Sequence, residues 1–275
     1  MSKDPMSSHH RLDRFRPAHH HRRIRRQYLA LAGVVLIGLL AFFGYRFRQQ
    51  LGIWYYERTK PATLPTTTAP EPDLDPLTSG TPTITLATEL NLAVPFTSQA
   101  PKGIWDPAHE EYCEEASAIM AAYYFQKKTF ASPDEADAEM MKLETWQRQT
   151  FGYFESTTAA ETKQMIETNF ELAVELETTV TATTIKQALN ENKLVLVPAA
   201  GRELGNPYFT APGPIYHMYV IKGYTADGRF ITNDPGTRHG ADYVYSEATV
   251  LETTGDYNHG DPTNGQPVLI IVSAR

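Results

Sequence analysis

The chain has 275 residues, 41% of them hydrophobic and 11% aromatic, which is room for one domain of ordinary size with appendages and excludes a disordered polymer. Its net charge of -7 conceals a division, because residues 1–60 hold 12 Lys/Arg against 3 Asp/Glu while residues 61–275 hold 13 against 29. The acidic portion would repel nucleic acid, and the sequence offers no phosphate-binding glycine loop.

Residues 1–27 form a basic tail, read as lying on anionic headgroups at the cytoplasmic face. Its His9, His10, His19, His20 and His21 leave a metal role as the sharper alternative. "YLALAGVVLIGLLAFFGY", residues 28–45, carries no charge. At about 1.5 Å per residue it spans roughly the thickness of a bilayer's hydrocarbon core, so it is predicted to be a transmembrane helix. A cleaved signal peptide is the rival, but the preceding polar stretch is long and no A-x-A site follows. Eight Lys/Arg precede the apolar run and four follow closely, a bias that places the N-terminus in the cytoplasm and everything after Tyr45 outside the plasma membrane. Residues 46–82 are then a juxtamembrane segment and a stalk rich in Pro and Thr, and the folded domain is expected over 83–275.

Within that domain Leu90 to Phe96 reads as a short strand. From Cys113, the apolar positions Ala116, Ile119, Met120, Tyr123 and Tyr124 repeat at the spacing of a helix with one buried face. Ser132 followed by Pro133 and acids marks a second helix start. Ser156 or Thr157 is expected to cap a third helix, and Thr183 a short fourth. "ELAVELE", "KLVLVPA", "YHMYVIKGYT", "RFITND", "DYVYS" and "PVLIIVS" read as strands, with a turn at Ala226-Asp227-Gly228. Helices first and antiparallel strands second predict an α+β fold with a helix packed on a sheet.

Cys113 is the only cysteine, in a domain expected outside the cell, where most cysteines are paired. A small buried apolar residue is the plain explanation. Its place at a helix N-terminus is the pointed one, since free backbone N–H groups and the helix dipole favour a thiolate there. Glu114 and Glu115 oppose that charge, so a cation is needed nearby. His217, at the start of a strand after a flexible loop, is the best of the four histidines outside the tail, the others being His109, His239 and His259. An imidazole that exchanges protons needs a third group to fix its tautomer, and "ITNDPG" on the next strand offers Asn233 and Asp234. The same Asn-Asp-Pro-Gly is by itself turn chemistry.

Taken together, "VPFTSQAP", "YCEEAS", "GNPYFTAPGPIYHMYVIKGY" and "FITNDPGTRHG" resemble the papain-like cysteine peptidases of the family named for bacteriocin-processing, double-glycine leader peptidases. The resemblance is to its stand-alone, membrane-anchored bacterial members and runs from about Val94 to Gly240. It implies a papain-like fold, no cofactor, and hydrolysis of peptide bonds, with a peptide or protein as the expected substrate; the family's leader-peptide substrate does not carry over. It also implies Cys113 as nucleophile, His217 as general base and acid, Asp234 as orienter and Gln99 as oxyanion donor. Gln99 stands fourteen residues before the cysteine, a longer gap than in the transporter-fused relatives, and Glu-Glu follows the cysteine where many relatives have small residues.

Two other functions remain open at this point. One keeps the fold and cleaves peptidoglycan stem peptides in contact with the cell wall; the other is a catalytically silent surface module that binds peptide or wall polymer. Trp105 is read as bracing the Gln99 loop or lining a substrate cleft, and Asn206 and Tyr208 as shaping the entrance or simply forming a turn. Asp256, His259 and Asp261 gather in one loop without the spacing of a metal site, and no metal is expected.

Overall fold

The computed structural model describes residues 18–69 and 86–275. The basic tail up to residue 17 and the stalk over 70–85, including the expected boundary at Thr83, lie outside the described residues. The chain divides into two compact units, one ending at Tyr55 and one running from Tyr56 to Arg275. In the first, helix α1 (Ala18–Thr59) exposes Leu29, Val34, Ile37, Phe42 and Phe43. Its stretch Gln27–Thr59 is long and apolar enough to cross a membrane, as an anchor or a signal sequence near the N-terminus would be.

The second unit contains strand β1 (Leu90–Asn91), helices α2 (Cys113–Phe125), α3 (Pro133–Thr150) and α4 (Ala159–Phe170), strand β2 (Ala173–Glu177), helix α5 (Ala182–Asn190), and strands β3 (Leu194–Ala200), β4 (Tyr216–Tyr224), β5 (Arg229–Asn233) and β6 (Tyr243–Ser246). Helix α6 (Glu247–Thr253) and strand β7 (Leu269–Ser273) complete it. The sheet runs β2-β7-β3-β4-β5-β6, antiparallel throughout, with β1 added to β4. Every residue of β3 and β4 is buried. β3 therefore reads in the sequence as a continuous apolar run rather than as an alternating one, and β4 does so apart from His217 and Lys222.

Helix α2 packs on β4 and is flanked by α3 and α4. The spacing predicts one buried face, but the helix is buried on every side from Cys113 to Tyr123, Glu114 and Glu115 included. Ala116, Ser117, Ala118, Ala121 and Ala122 are the reason, since small side chains let neighbours close around the axis.

Helix α4 is capped by Thr158, not by Ser156 or Thr157, because Thr158 and Glu161 complete a reciprocal capping box. Thr181 rather than Thr183 caps α5. Of the run Leu90–Phe96 only Leu90–Asn91 pairs as a strand, while α6 follows "DYVYS" without having been expected, capped by Ser246. The compact unit also begins earlier than residue 83. Tyr56 stacks on Tyr243 with centroids 4.4 Å apart, Thr67 N donates to Asn91 O at 2.7 Å, and Asn91 Nδ2 donates to Leu64 O at 2.8 Å. Residues 56–69 thus have partners on the sheet that a solvated stalk would lack.

Candidate active site

Cys113 is the first residue of α2 and is 5% exposed. The chain enters it through a short 3-10 turn, His109–Glu111, and through Tyr112, whose ring meets His109 and Phe154 and whose hydroxyl donates to Glu144. Tyr112, in the N-cap position, gives the helix start no side-chain cap.

β4 supplies the opposite wall. It pairs with β5 only from Val220 onward, which leaves the Met218 backbone for α2: Ser117 Oγ donates to Met218 O at 3.2 Å, and the Met218 backbone favours the Cys113 thiolate. The residue before Met218 is His217, 1% exposed and in register with Ala199 of β3. The Ser117 hydrogen bond ties α2 to the residue that follows His217.

Asp234 directly follows β5 and faces the ring, its Oδ1 2.8 Å from His217 Nε2. That contact occupies Nε2 and leaves Nδ1 for proton exchange. The carboxylate is saturated, because Oδ1 also accepts from Gly236 N at 2.9 Å, while Oδ2 accepts from Tyr245 OH at 2.6 Å and Asn206 Nδ2 at 3.1 Å. Burial pushes its pKa up, but the His217 charge and hydrogen bond, with those from Tyr245 and Gly236, hold it below the ordinary value.

The Asn-Asp-Pro-Gly turn and the contact of Asp234 with His217 are thus both present. Asp234 N donates to Gly240 O at 2.9 Å, and a Cβ on Gly240 would lie 1.7 Å from Asp234 O. Only glycine permits that approach.

Gln99 is 4% exposed, and its loop is tied to the Asp234 turn by Gln99 N donating to Pro235 O at 2.9 Å. Its Nε2 donates to His109 O at 2.8 Å and Glu110 O at 3.0 Å, in the turn that leads into Cys113. The side chain is therefore beside the helix start with its donors engaged, and its Oε1 is buried without a hydrogen bond.

Trp105, expected to brace this loop or line a cleft, is 44% exposed. The bracing comes from His109, whose Nδ1 meets Asp106 Oδ1 and whose Nε2 meets Asp137 Oδ1, each at 2.7 Å. The Asp106 to His109 spacing was the available signal.

Asn206 is buried against Asp234 and Tyr245 and so supports the acid instead of lining an entrance. Its Oδ1 also accepts from Tyr208 N at 3.0 Å, so the turn chemistry is present as well. Tyr208 donates to Glu57 and stacks on His239. Tyr245 had no sequence signal beyond a place in an aromatic strand. Among the described residues no group of acidic, His or Cys side chains could hold a metal ion.

The two glutamates after the thiol are 0% exposed. Glu114 Oε1 accepts from Thr157 N at 2.8 Å, and its Oε2 accepts from Cys113 Sγ at 3.0 Å. Glu115 accepts from Gln147 Nε2. Burial pushes both carboxyls up, Glu115 further because Glu114 is beside it. Burial also pushes the Cys113 thiol up, and the charge of Glu114 and its hydrogen bond add to that, against the Met218 contact.

The unit is an α+β domain in which a helix that begins at a cysteine packs on an antiparallel sheet, with a histidine on one strand and an aspartate just after the next. The model of the Peptidase_C39 like family matches residues 91–259, a span that includes Gln99, Cys113, His217 and Asp234. The chain belongs to that family. Among solved structures it is similar to a chain described as a C39-like peptidase from Bacillus anthracis, at 15% identity and a TM-score of 0.45, covering 68% of this chain and 98% of that one. No curated protein matches the sequence.

Proposed function

We propose that this protein is a membrane-anchored cysteine peptidase whose domain faces away from the cytoplasm and hydrolyses peptide bonds. Family membership supports a peptidase. The observation that carries the finer reading is the His217 to Asp234 hydrogen bond of 2.8 Å, on the strand whose next residue is hydrogen-bonded by Ser117 of the cysteine's helix. In this reading His217 Nδ1 takes the Cys113 proton, and the thiolate attacks the substrate carbonyl to form the S–C bond. The Cys113 backbone N–H and one N–H of Gln99 stabilise the oxyanion, the latter after exchanging its carbonyl partner for substrate. Imidazolium then protonates the leaving amine, the C–N bond breaks, and water deprotonated by His217 hydrolyses the thioester. The excess of Lys/Arg before the apolar helix supports an N-terminus inside.

A silent binding groove is the reading that the Cys113 to Glu114 hydrogen bond favours. The pH dependence of iodoacetamide alkylation on the full chain, beside His217→Ala, separates the two. Reactivity below the free-thiol pKa of about 8.5 that collapses in the variant supports the peptidase. A profile indifferent to His217 overturns it.

A further inference from the structure

The sulfur's side-chain partner in this structure is a carboxylate. Glu114 is fixed from both ends, by Thr157 N on Oε1 and by the thiol on Oε2, with no exposure to solvent. An ionised carboxyl in such a place is costly and would oppose a thiolate beside it. The groups facing it are Glu111 from the preceding turn, Glu115 on its own helix and Tyr216 of β4. Behind these stand Glu144 and Gln147 of α3 on the Glu115 side and Asp256 on the Tyr216 side. Among these only Glu144 has a cationic partner, Arg148 Nε at 2.7 Å; the groups that face Glu114 itself are acidic or neutral, so a proton is what relieves the cluster.

We propose that Glu114 is a second proton-exchange partner of Cys113 that gates the nucleophile, holding the hydrogen on Sγ as a carboxylate and releasing it to His217 only as a carboxylic acid. The inference rests on the reading of Cys113 and His217 as the catalytic pair. In the closed state the groups are Cys–SH, Glu–COO⁻ and neutral imidazole. Opening takes one proton from solvent onto Oε2; the S–H proton then moves to Nδ1, and the new Oε2–H donates to S⁻. One proton is bound, the charges of thiolate and imidazolium balance, and nothing is oxidised. The upward shift of the Glu114 carboxyl places this exchange well above the ordinary carboxylate range.

The test is the iodoacetamide rate across pH on the full chain, for the wild type and Glu114→Gln, whose amide is a permanent neutral donor. The wild-type rate should fall as pH rises through the Glu114 titration and climb again only when the thiol itself ionises. Glu114→Gln should hold its acid-range rate through that interval and exceed the wild type by about tenfold one pH unit above the wild-type midpoint. Superimposable profiles, or a variant slower at every pH, overturn the gate. Should the variant fail to fold, infrared spectra of the wild type decide: the S–H band must grow as a carboxylic-acid C=O band fades with rising pH. An S–H band constant with pH overturns the gate. Loss of the gate alone leaves the His217→Ala effect intact, whereas failure of the peptidase reading removes that effect as well.

Discussion

Replacing Tyr245 with phenylalanine removes one oxygen from the support of Asp234 and leaves the volume nearly unchanged. The hydroxyl donates to the buried carboxylate at 2.6 Å and accepts from Asn206 Nδ2 at 3.0 Å. Hydrogen bonds to charged groups contribute about 1.5–3 kcal/mol, and the three remaining donors to Asp234 stay in place, so Tyr245→Phe should cost about 2 kcal/mol at neutral pH. For a domain of this size that lowers Tm by roughly 4–8 °C. The direction with pH follows from Asp234, whose native carboxyl lies below its ordinary value. Its stabilising effect is present above the unfolded value of about 3.9 and is lost as pH falls through the native value. Removing a donor raises the native value, so urea unfolding should show a variant weaker than the wild type near pH 7, with the difference shrinking in acid. Equal stability at neutral pH, or a difference that stays constant into acid, would refute the assignment of Tyr245 to the ionised carboxylate.

A methyl group at residue 236 would lie 2.9 Å from His217 Cε1 and 2.8 Å from a Phe209 ring carbon. Gly236→Ala should therefore push the imidazole off line and lower kcat at least about tenfold with little change in KM; unchanged kcat would show that the ring's place is not what turnover depends on. His109 lies between Asp106 and Asp137. Burial pulls its pKa down, but the hydrogen bonds to those acids win and raise it. Its contribution is thus full below the unfolded value of about 6.5 and is lost as pH rises through the native one. His109→Gln should destabilise most near pH 6 and progressively less in alkali, as read by urea midpoints; a pH-independent difference would contradict a charged clamp.

Much of this fold is written in local pattern. β3 and β4 are buried runs between turn residues, α3 announces itself by Ser132 and Pro133, and Cys113 at a helix start is visible from the apolar spacing behind it. The contact of His217 with Asp234 is legible because "ITNDPG" ends the strand after the histidine's. The supports were not legible, since Asn206 and Tyr245 reach Asp234 only once the hairpins are folded, and neither residue's neighbours hint at a carboxylate. The sequence shows Glu114 and Glu115 only as charges opposing the thiolate, and nothing in it shows that they are buried. Enclosure by α3, α4 and β4 reverses their electrostatics, and enclosure depends on how small side chains pack at long range. The caps slipped by one or two residues because "ESTTAAE" and "TVTATT" offer several hydroxyls, and only the backbone conformation selects one.

The central claim is that Cys113 is a nucleophile, and intact-mass analysis of the full chain during hydrolysis of a peptide library tests it most directly. The account predicts that the wild type cleaves peptides and carries a transient acyl adduct on Cys113, while Cys113→Ala remains folded, forms no adduct and loses turnover by at least about 10³-fold. Hydrolysis that survives in Cys113→Ala would contradict it.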